Sequence, residues 1–179
     1  MAQAKRRKKF FDVNIPLINK TTQLIAYEPE SLVGKHIKYD LTRLLRGKSV
    51  ILSLTVVGKG KDLSSIPREL KLMPYYLRRM VRKGTNYVED SFSASTKDNQ
   101  VKIKPFLVTR RKVSRAVRKA LREKAKEELT NYLKTKSTEE IFQEVLRNQL
   151  QKTLSLKLKK VYPLSLCEIR VLKVETKKE

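Results

Sequence analysis

Arg111, Arg115, Arg118 and Arg122 recur at i, i+4, i+7 and i+11 within TRRKVSRAVRKALREKAKEEL, residues 109–129. Wound at 3.6 residues per turn, they fall on one stripe, which Lys112, Lys119 and Lys126 broaden. Val113, Val117, Ala120 and Leu121 fall roughly opposite. One helix face would then rest on a core while the other presents a row of cations. Like charges at i, i+4 repel and weaken an isolated helix, so such a row calls for a polyanion. Arginine suits that task because its planar fork bonds phosphate bidentately and stacks on bases. Two more clusters repeat the theme: Arg78, Arg79, Arg82 and Lys83 in PYYLRRMVRKG, and Lys5, Arg6, Arg7, Lys8 and Lys9 near the start. Each alone is compatible with a solvated face. Three in one chain, with Arg110 extending the row, make these residues the candidate nucleic-acid contacts.

Composition supports that direction. The 179 residues carry 42 Lys plus Arg against 18 Asp plus Glu, a formal net charge of +24. Self-repulsion on that scale opposes folding unless an anion neutralises it. Hydrophobic residues make up 40 %, enough for a real core. An anionic membrane is the weaker partner: no apolar run approaches the roughly 20 residues a spanning helix needs. The basic start lacks the apolar segment of a signal peptide, and no lipidation box stands at either end.

Catalytic patterns are missing. His36 is the single histidine and sits in a strand-like segment, GKHIKY. Cys167 is the single cysteine, so the chain forms no internal disulfide and no cysteine zinc site, which fits a reducing cytosolic setting. VVGKGKD lacks the spacing of a phosphate-cradling loop and reads as a turn. Asp40, Glu89 and Asp90 are the residues a metal-dependent nuclease would have to use. No cofactor is called for, and we expect no enzyme activity. Without Trp and with aromatics at 7 %, a stacking platform for single strands is not evident. The expectation is binding of a folded RNA by shape and backbone. A free architectural nucleic-acid-binding protein is the alternative.

The elements that must hold these cations follow from periodicity. Residues 1–9 form a basic arm, and residues 10–179 one α+β domain. FFDVNIPL, TQLIAYEP and VGKHIKY read as strands, the first two ended by Pro16 and Pro29. Asp40 to Gly47 has the cap and stop of one or two helical turns. SVILSLTVVGKG is the strongest strand signal and pairs with KDLSSIPREL across its Gly-Lys-Gly turn. A short helix occupies residues 74–84, from Pro74 to Gly84. NYVEDSFSAST and QVKIKPFLVT form a hairpin turned at Lys97-Asp98-Asn99. A first long helix spans about 110–132. A second opens on the capping box Ser137 to Glu140 and runs to about Lys160, before Tyr162-Pro163. CEIRVLKVE is a last strand, with Ile169, Val171 and Val174 toward the core, followed by Lys177 and Lys178 in a tail.

These segments in this order resemble the archaeal and eukaryotic small-subunit ribosomal protein family called eS-one, or S-three-a. The resemblance runs over nearly the whole chain. Its carriers are KKFFDVNIPL at Lys8 to Leu17, LVGKHIKYDL at Leu32 to Leu41, STKDNQVKIKPFLVTRRKV, the RKALRE of the basic helix, and YPLSLCEIRVLKV at Tyr162 to Val174. LKLMPYYLRRM departs from the family's Leu-Thr-Arg-Asp, and Asp98-Asn99 stands where Asp-Gly is usual. The long C-terminal extension of eukaryotic members is missing, so the length resembles the archaeal type. The resemblance implies a mixed, barrel-like β core with two long C-terminal helices and a final strand. It implies a structural, cytoplasmic constituent of the ribosome, bound to small-subunit rRNA and to neighbouring small-subunit ribosomal proteins. It also implies a position on the platform near the side where mRNA exits, which brings mRNA within reach as a partner.

Overall fold

The computed structural model describes residues 7–60 and 62–175, with the Lys59 side chain excepted. Lys5, Arg6, Lys177 and Lys178 lie outside the described residues. Among the described residues the fold is mixed α and β, with nine strands in a mostly antiparallel sheet and four α-helices. Among the described residues no ladder closes the sheet, so it is an open sheet and not a true barrel. The chain divides into two compact units, Met1–Tyr39 with Leu52–Arg68, and Asp40–Ile51 with Glu69–Glu179.

In the first unit, β1 (Lys9–Ile15) pairs antiparallel with β2 (Lys20–Ala26), in a register running from Lys9 opposite Ala26 to Ile15 opposite Lys20. Pro16 ends β1 as its position requires, opening a single 3-10 turn through Ile18. β3 (His36–Asp40) pairs with β4 (Val50–Lys59), and β4 pairs with β5 (Asp62–Leu72), although Asp40, residues 50–51 and residues 69–72 of these strands are counted in the second unit. Period-two alternation in β4 buries Leu52, Leu54 and Val56. Gly58 is required at the hairpin, because a Cβ there would meet the Asp62 carbonyl oxygen at 2.2 Å. Val13, Ala26, Leu32, Val56 and Leu63 form the buried cluster, with Phe11, Leu24 and Ile37 packed against it.

In the second unit, β8 (Gln100–Thr109) lies between β9 (Leu164–Glu175) on one side and two short strands on the other. β7 (Phe92–Ser95) covers its first half and β6 (Tyr87–Glu89) its second, so the expected hairpin is present but interrupted at Asp90–Ser91. Pro105 lacks a donor, and the β8–β9 register shifts there: Lys104 faces Val171 and Pro105 faces Ile169. Arg170 is the extra residue of that bulge. The slip brings Ile169 and Leu172 into the core, while Val171 and Val174 are only half-buried, contrary to strict alternation.

The helices correct several expectations. No helix forms between Asp40 and Gly47. Asp40 accepts the Thr42 amide at 2.8 Å, and Arg46 and Gly47 both adopt positive φ, which makes the segment a run of turns. α1 (Pro74–Met80) stops four residues short of Gly84, with Val81 already extended. α2 (Arg115–Leu133), capped by Ser114, starts about five residues later than expected. Its buried stripe is Leu121, Ala125, Leu129 and Leu133, while Ala120 is exposed. The second long helix is two helices, α3 (Thr138–Leu146) and α4 (Gln149–Leu158). The Ser137–Glu140 capping box is present at the start of α3. The break has a packing cause. Val145 and Leu150 are both buried, yet five residues of continuous helix would place them about 140° apart. Asn148 resolves the conflict in the left-handed conformation at φ 58°, which asparagine tolerates. The Val145 carbonyl accepts the Asn148 amide at 3.2 Å and Gln151 Nε2 at 2.9 Å. Lys48 Nζ donates to Asn148 Oδ1 at 2.7 Å and pairs with Glu168 at 2.6 Å, in a site where both charged side chains are almost buried.

Candidate nucleic-acid interface

The row of cations begins in the segment that joins β8 to α2. Thr109 is fully buried, and its Oγ1 accepts the Asn86 amide at 3.0 Å. The Thr109 amide donates to the Asn86 carbonyl at 2.9 Å, and Asn86 Oδ1 accepts the Val113 amide at 2.9 Å. These bonds hold residues 109–113 in a non-helical, bent segment against the entry to β6. Arg110, Arg111 and Lys112 therefore project from an exposed non-helical segment. Arg111 is not part of the helical stripe, and the stripe is shorter by that residue.

Ser114 caps α2, its Oγ accepting the Val117 amide at 3.4 Å. Arg115, Arg118, Lys119 and Arg122 follow on the first two turns. Charge along this helix is divided. The later acids are paired: Glu127 with Lys124 at 2.9 Å, and Glu128 with Lys157 at 2.7 Å. Those Lys partners hold the Glu128 carboxyl below its ordinary value, the Lys157 hydrogen bond foremost. Among the described residues, no carboxylate lies within ion-pair distance of Arg110, Arg111, Lys112, Arg115, Arg118 or Arg122. Lys119 has only a loose 3.8 Å pairing with Glu123 on the open surface. The first turn of α2 holds no acid. Cations at a helix N-terminus oppose its dipole, so the local energetics disfavour this arrangement in the free protein. Arg118 Nε is buried without a hydrogen-bond partner.

Arg115, Arg118, Lys119 and Arg122 line one wall of a cleft of about 270 Å³, with Tyr87, Val88 and Glu89 of β6 opposite. Glu89 is the one acid there, and it is held by Arg170 at 2.8 Å. Periodicity alone missed Tyr87 and Arg170. Tyr87 reads as an ordinary strand residue, and Arg170 reaches the site only because the bulge changes its register.

The other predicted contacts are distributed differently. Arg78 and Arg79 are exposed on α1, with Arg79 5.5 Å from the Tyr76 ring centroid. Arg82 and Lys83 lie beyond the helix end in the turn closed by Thr85, whose amide donates to the Arg82 carbonyl at 3.2 Å. Arg7 and Lys8 precede β1 and Lys9 opens it, with Lys8 Nζ 5.5 Å from the Tyr27 ring. These three belong to the first unit, and the α1 and α2 cations to the second.

The residues considered for catalysis have other partners. His36 Nδ1 hydrogen-bonds Thr55 Oγ1 at 3.0 Å between exposed strand positions. Asp40 caps its turn, with bonds from Thr42 lowering its pKa, and Asp90 Oδ1 accepts the Ser91 amide at 2.9 Å. Among the described residues no group of three His, Cys, Asp or Glu is placed to hold a metal ion. No described helix is long and apolar enough to cross a membrane.

The sequence model described as the Ribosomal S3Ae family matches residues 2–178. The chain is 26 % identical over 167 residues to the small ribosomal subunit protein eS1 of Nanoarchaeum equitans, covering 88 % of this chain and 84 % of that protein. It is 29 % identical over 176 residues to the protein of the same name from Pyrobaculum islandicum, covering 93 % and 79 %. Against that of Saccharolobus solfataricus it is 28 % identical over 155 residues, covering 83 % and 74 %.

Proposed function

The chain belongs to the Ribosomal S3Ae family, and on that premise we propose that it is a structural, non-catalytic constituent of the small subunit of the cytoplasmic ribosome that binds folded rRNA. The observation that carries this reading is the first half of α2, where Arg115, Arg118 and Arg122 have no carboxylate within ion-pair reach among the described residues and Lys119 has only the exposed Glu123 at 3.8 Å. Phosphate is the anion that such a row fits. It satisfies arginine forks in pairs, and the amides of a helix start favour it as well. The contacts position the protein on RNA without reading sequence. Arg110, Arg111, Lys112, Arg115, Arg118, Lys119 and Arg122 clamp the backbone along one edge. Arg78, Arg79, Arg82 and Lys83 make a second contact. Lys5 to Lys9 act as an arm that orders on RNA, and residues 10–179 bind as one domain. Neighbouring small-subunit proteins complete the surroundings, with mRNA near its exit side as a further partner.

The test is a sucrose gradient of native lysate at low and at high salt, probing for this chain. Migration with the small subunit through moderate salt is the expected result. Reversing Arg115 and Arg118 to Glu should strip the chain from subunits while the isolated protein keeps its circular dichroism. Normal incorporation of that variant would rule out the helix clamp. Release by DNase and not by RNase would favour the architectural DNA-binding alternative.

A further inference from the structure

Beside β6 lies a second cavity, of about 420 Å³, a volume in the range of sites that accept small organic groups. Its apolar lining comes from Leu77 of α1, Val81 just after it, and Phe106 of β8. Tyr87 stands at its edge. That ring stacks on Phe106, with centroids 5.8 Å apart and planes at 23°. Phe106 is 3 % exposed, whereas Tyr87 is 55 % exposed. A buried ring therefore fixes an aromatic surface that is itself open. The polar groups of the wall are Arg78 and the Glu89–Arg170 pair, whose side chains are 35 % and 39 % exposed respectively. A carboxylate acceptor and guanidinium donors thus sit together at the border of an apolar space. Tyr87 and Glu89 line the cationic cleft of α2 as well. The apolar cavity therefore adjoins the cationic cleft along β6, the two spaces sharing Tyr87 and Glu89 from one face of that strand.

A nucleotide divides its chemistry in the same way, into a flat base with polar edges and an anionic phosphate. We propose that this site takes one unpaired nucleotide of an RNA strand. Its base packs against Tyr87 over the apolar lining, and its edge meets Glu89, Arg170 or Arg78. The flanking phosphates lie on Arg115, Arg118, Lys119 and Arg122. This rests on the RNA-binding reading above and adds to it. Backbone clamping alone is indifferent to pairing, whereas stacking on Tyr87 demands an unstacked base.

The experiment measures binding of the full chain to two probes, a short oligoadenylate and a fully paired RNA with the same number of phosphates. Tyr87→Ala should weaken oligoadenylate binding about tenfold, within the range for loss of a base–aromatic stack, and change duplex binding by less than about twofold. Tyr87→Phe keeps the ring and should bind as the parent does. If Tyr87→Ala affects both probes alike, or neither, the nucleotide site is overturned while salt-sensitive duplex binding leaves the RNA reading intact. If neither probe binds the parent, both are overturned. Ultraviolet crosslinking of native small subunits gives an independent readout that needs no variant. A nucleotide adduct on the Tyr87 peptide supports the site. RNA adducts confined to other peptides, or a protein crosslink at Tyr87, overturn it.

Discussion

Replacing Arg115, Arg118 and Arg122 together with Gln should make the free protein more stable and its RNA complex weaker. Glutamine keeps a good helix propensity, so the change is mainly one of charge. Arg115–Arg118, Arg115–Lys119, Arg118–Arg122 and Lys119–Arg122 are like-charge neighbours at i, i+3 or i, i+4, each costing about 0.2–0.5 kcal/mol. All four are relieved, as is the conflict of Arg115 and Arg118 with the N-terminal end of the helix dipole. Discounted for solvent exposure, the gain is about 1–2 kcal/mol, or a rise in Tm of roughly 2–8 °C for a chain of this size. On RNA, three phosphates lose their partners. The log–log dependence of affinity on salt should flatten by about 2–2.7, taking 0.7–0.9 per phosphate. Between ~50 and ~200 mM salt the parent should then lose about 20- to 40-fold more affinity than the variant does. Thermal unfolding and salt titration against small-subunit rRNA measure the two halves. A lowered Tm would show that the row contributes to folding. An unchanged salt slope would show that these side chains meet no phosphate.

Three further predictions concern the frame that holds the site. Lys48→Met leaves Glu168 buried without its partner and should destabilise by about 3–5 kcal/mol, whereas Lys48→Met with Glu168→Gln should recover a large part of the loss in urea unfolding. Thr109→Val keeps the shape but leaves the Asn86 amide without its side-chain acceptor, so a loss of about 1–3 kcal/mol and faster hydrogen exchange at Asn86 are expected. Burial, with Glu168 beside it, pushes the Cys167 thiol up to about 12. At pH 8 the reactive thiolate is then about one part in ten thousand, and iodoacetamide should label the native protein far more slowly than the urea-unfolded one.

Much of the scaffold was legible because its signals are local. The alternation of Leu52, Leu54 and Val56 needs only the period of a strand, and Pro16 ends β1 through its own ring. The capping box at Ser137 and Glu140 is closed within four residues. Elements whose boundaries depend on distant partners were misplaced. Nothing in TRRKV forbids a helix, and the segment stays non-helical because Thr109 and Asn86 bind it to the start of β6. LRNQL reads as continuous helix, and it breaks because Val145 and Leu150 must both face the interior.

The candidate site divides along the same line. The sequence by itself determined the excess of cations, the arginine row on one helical stripe from Arg115 onward and the family resemblance, since charge and helical spacing depend only on residue order. Tertiary structure alone decided which of those cations lack carboxylates and that Arg111 leaves the stripe. It alone placed Tyr87 and Glu89 across from α2, with Arg170 paired to Glu89. Those three residues meet through the β6–β8 pairing and the bulge at Arg170, and strand register is set by contacts between segments far apart in the chain.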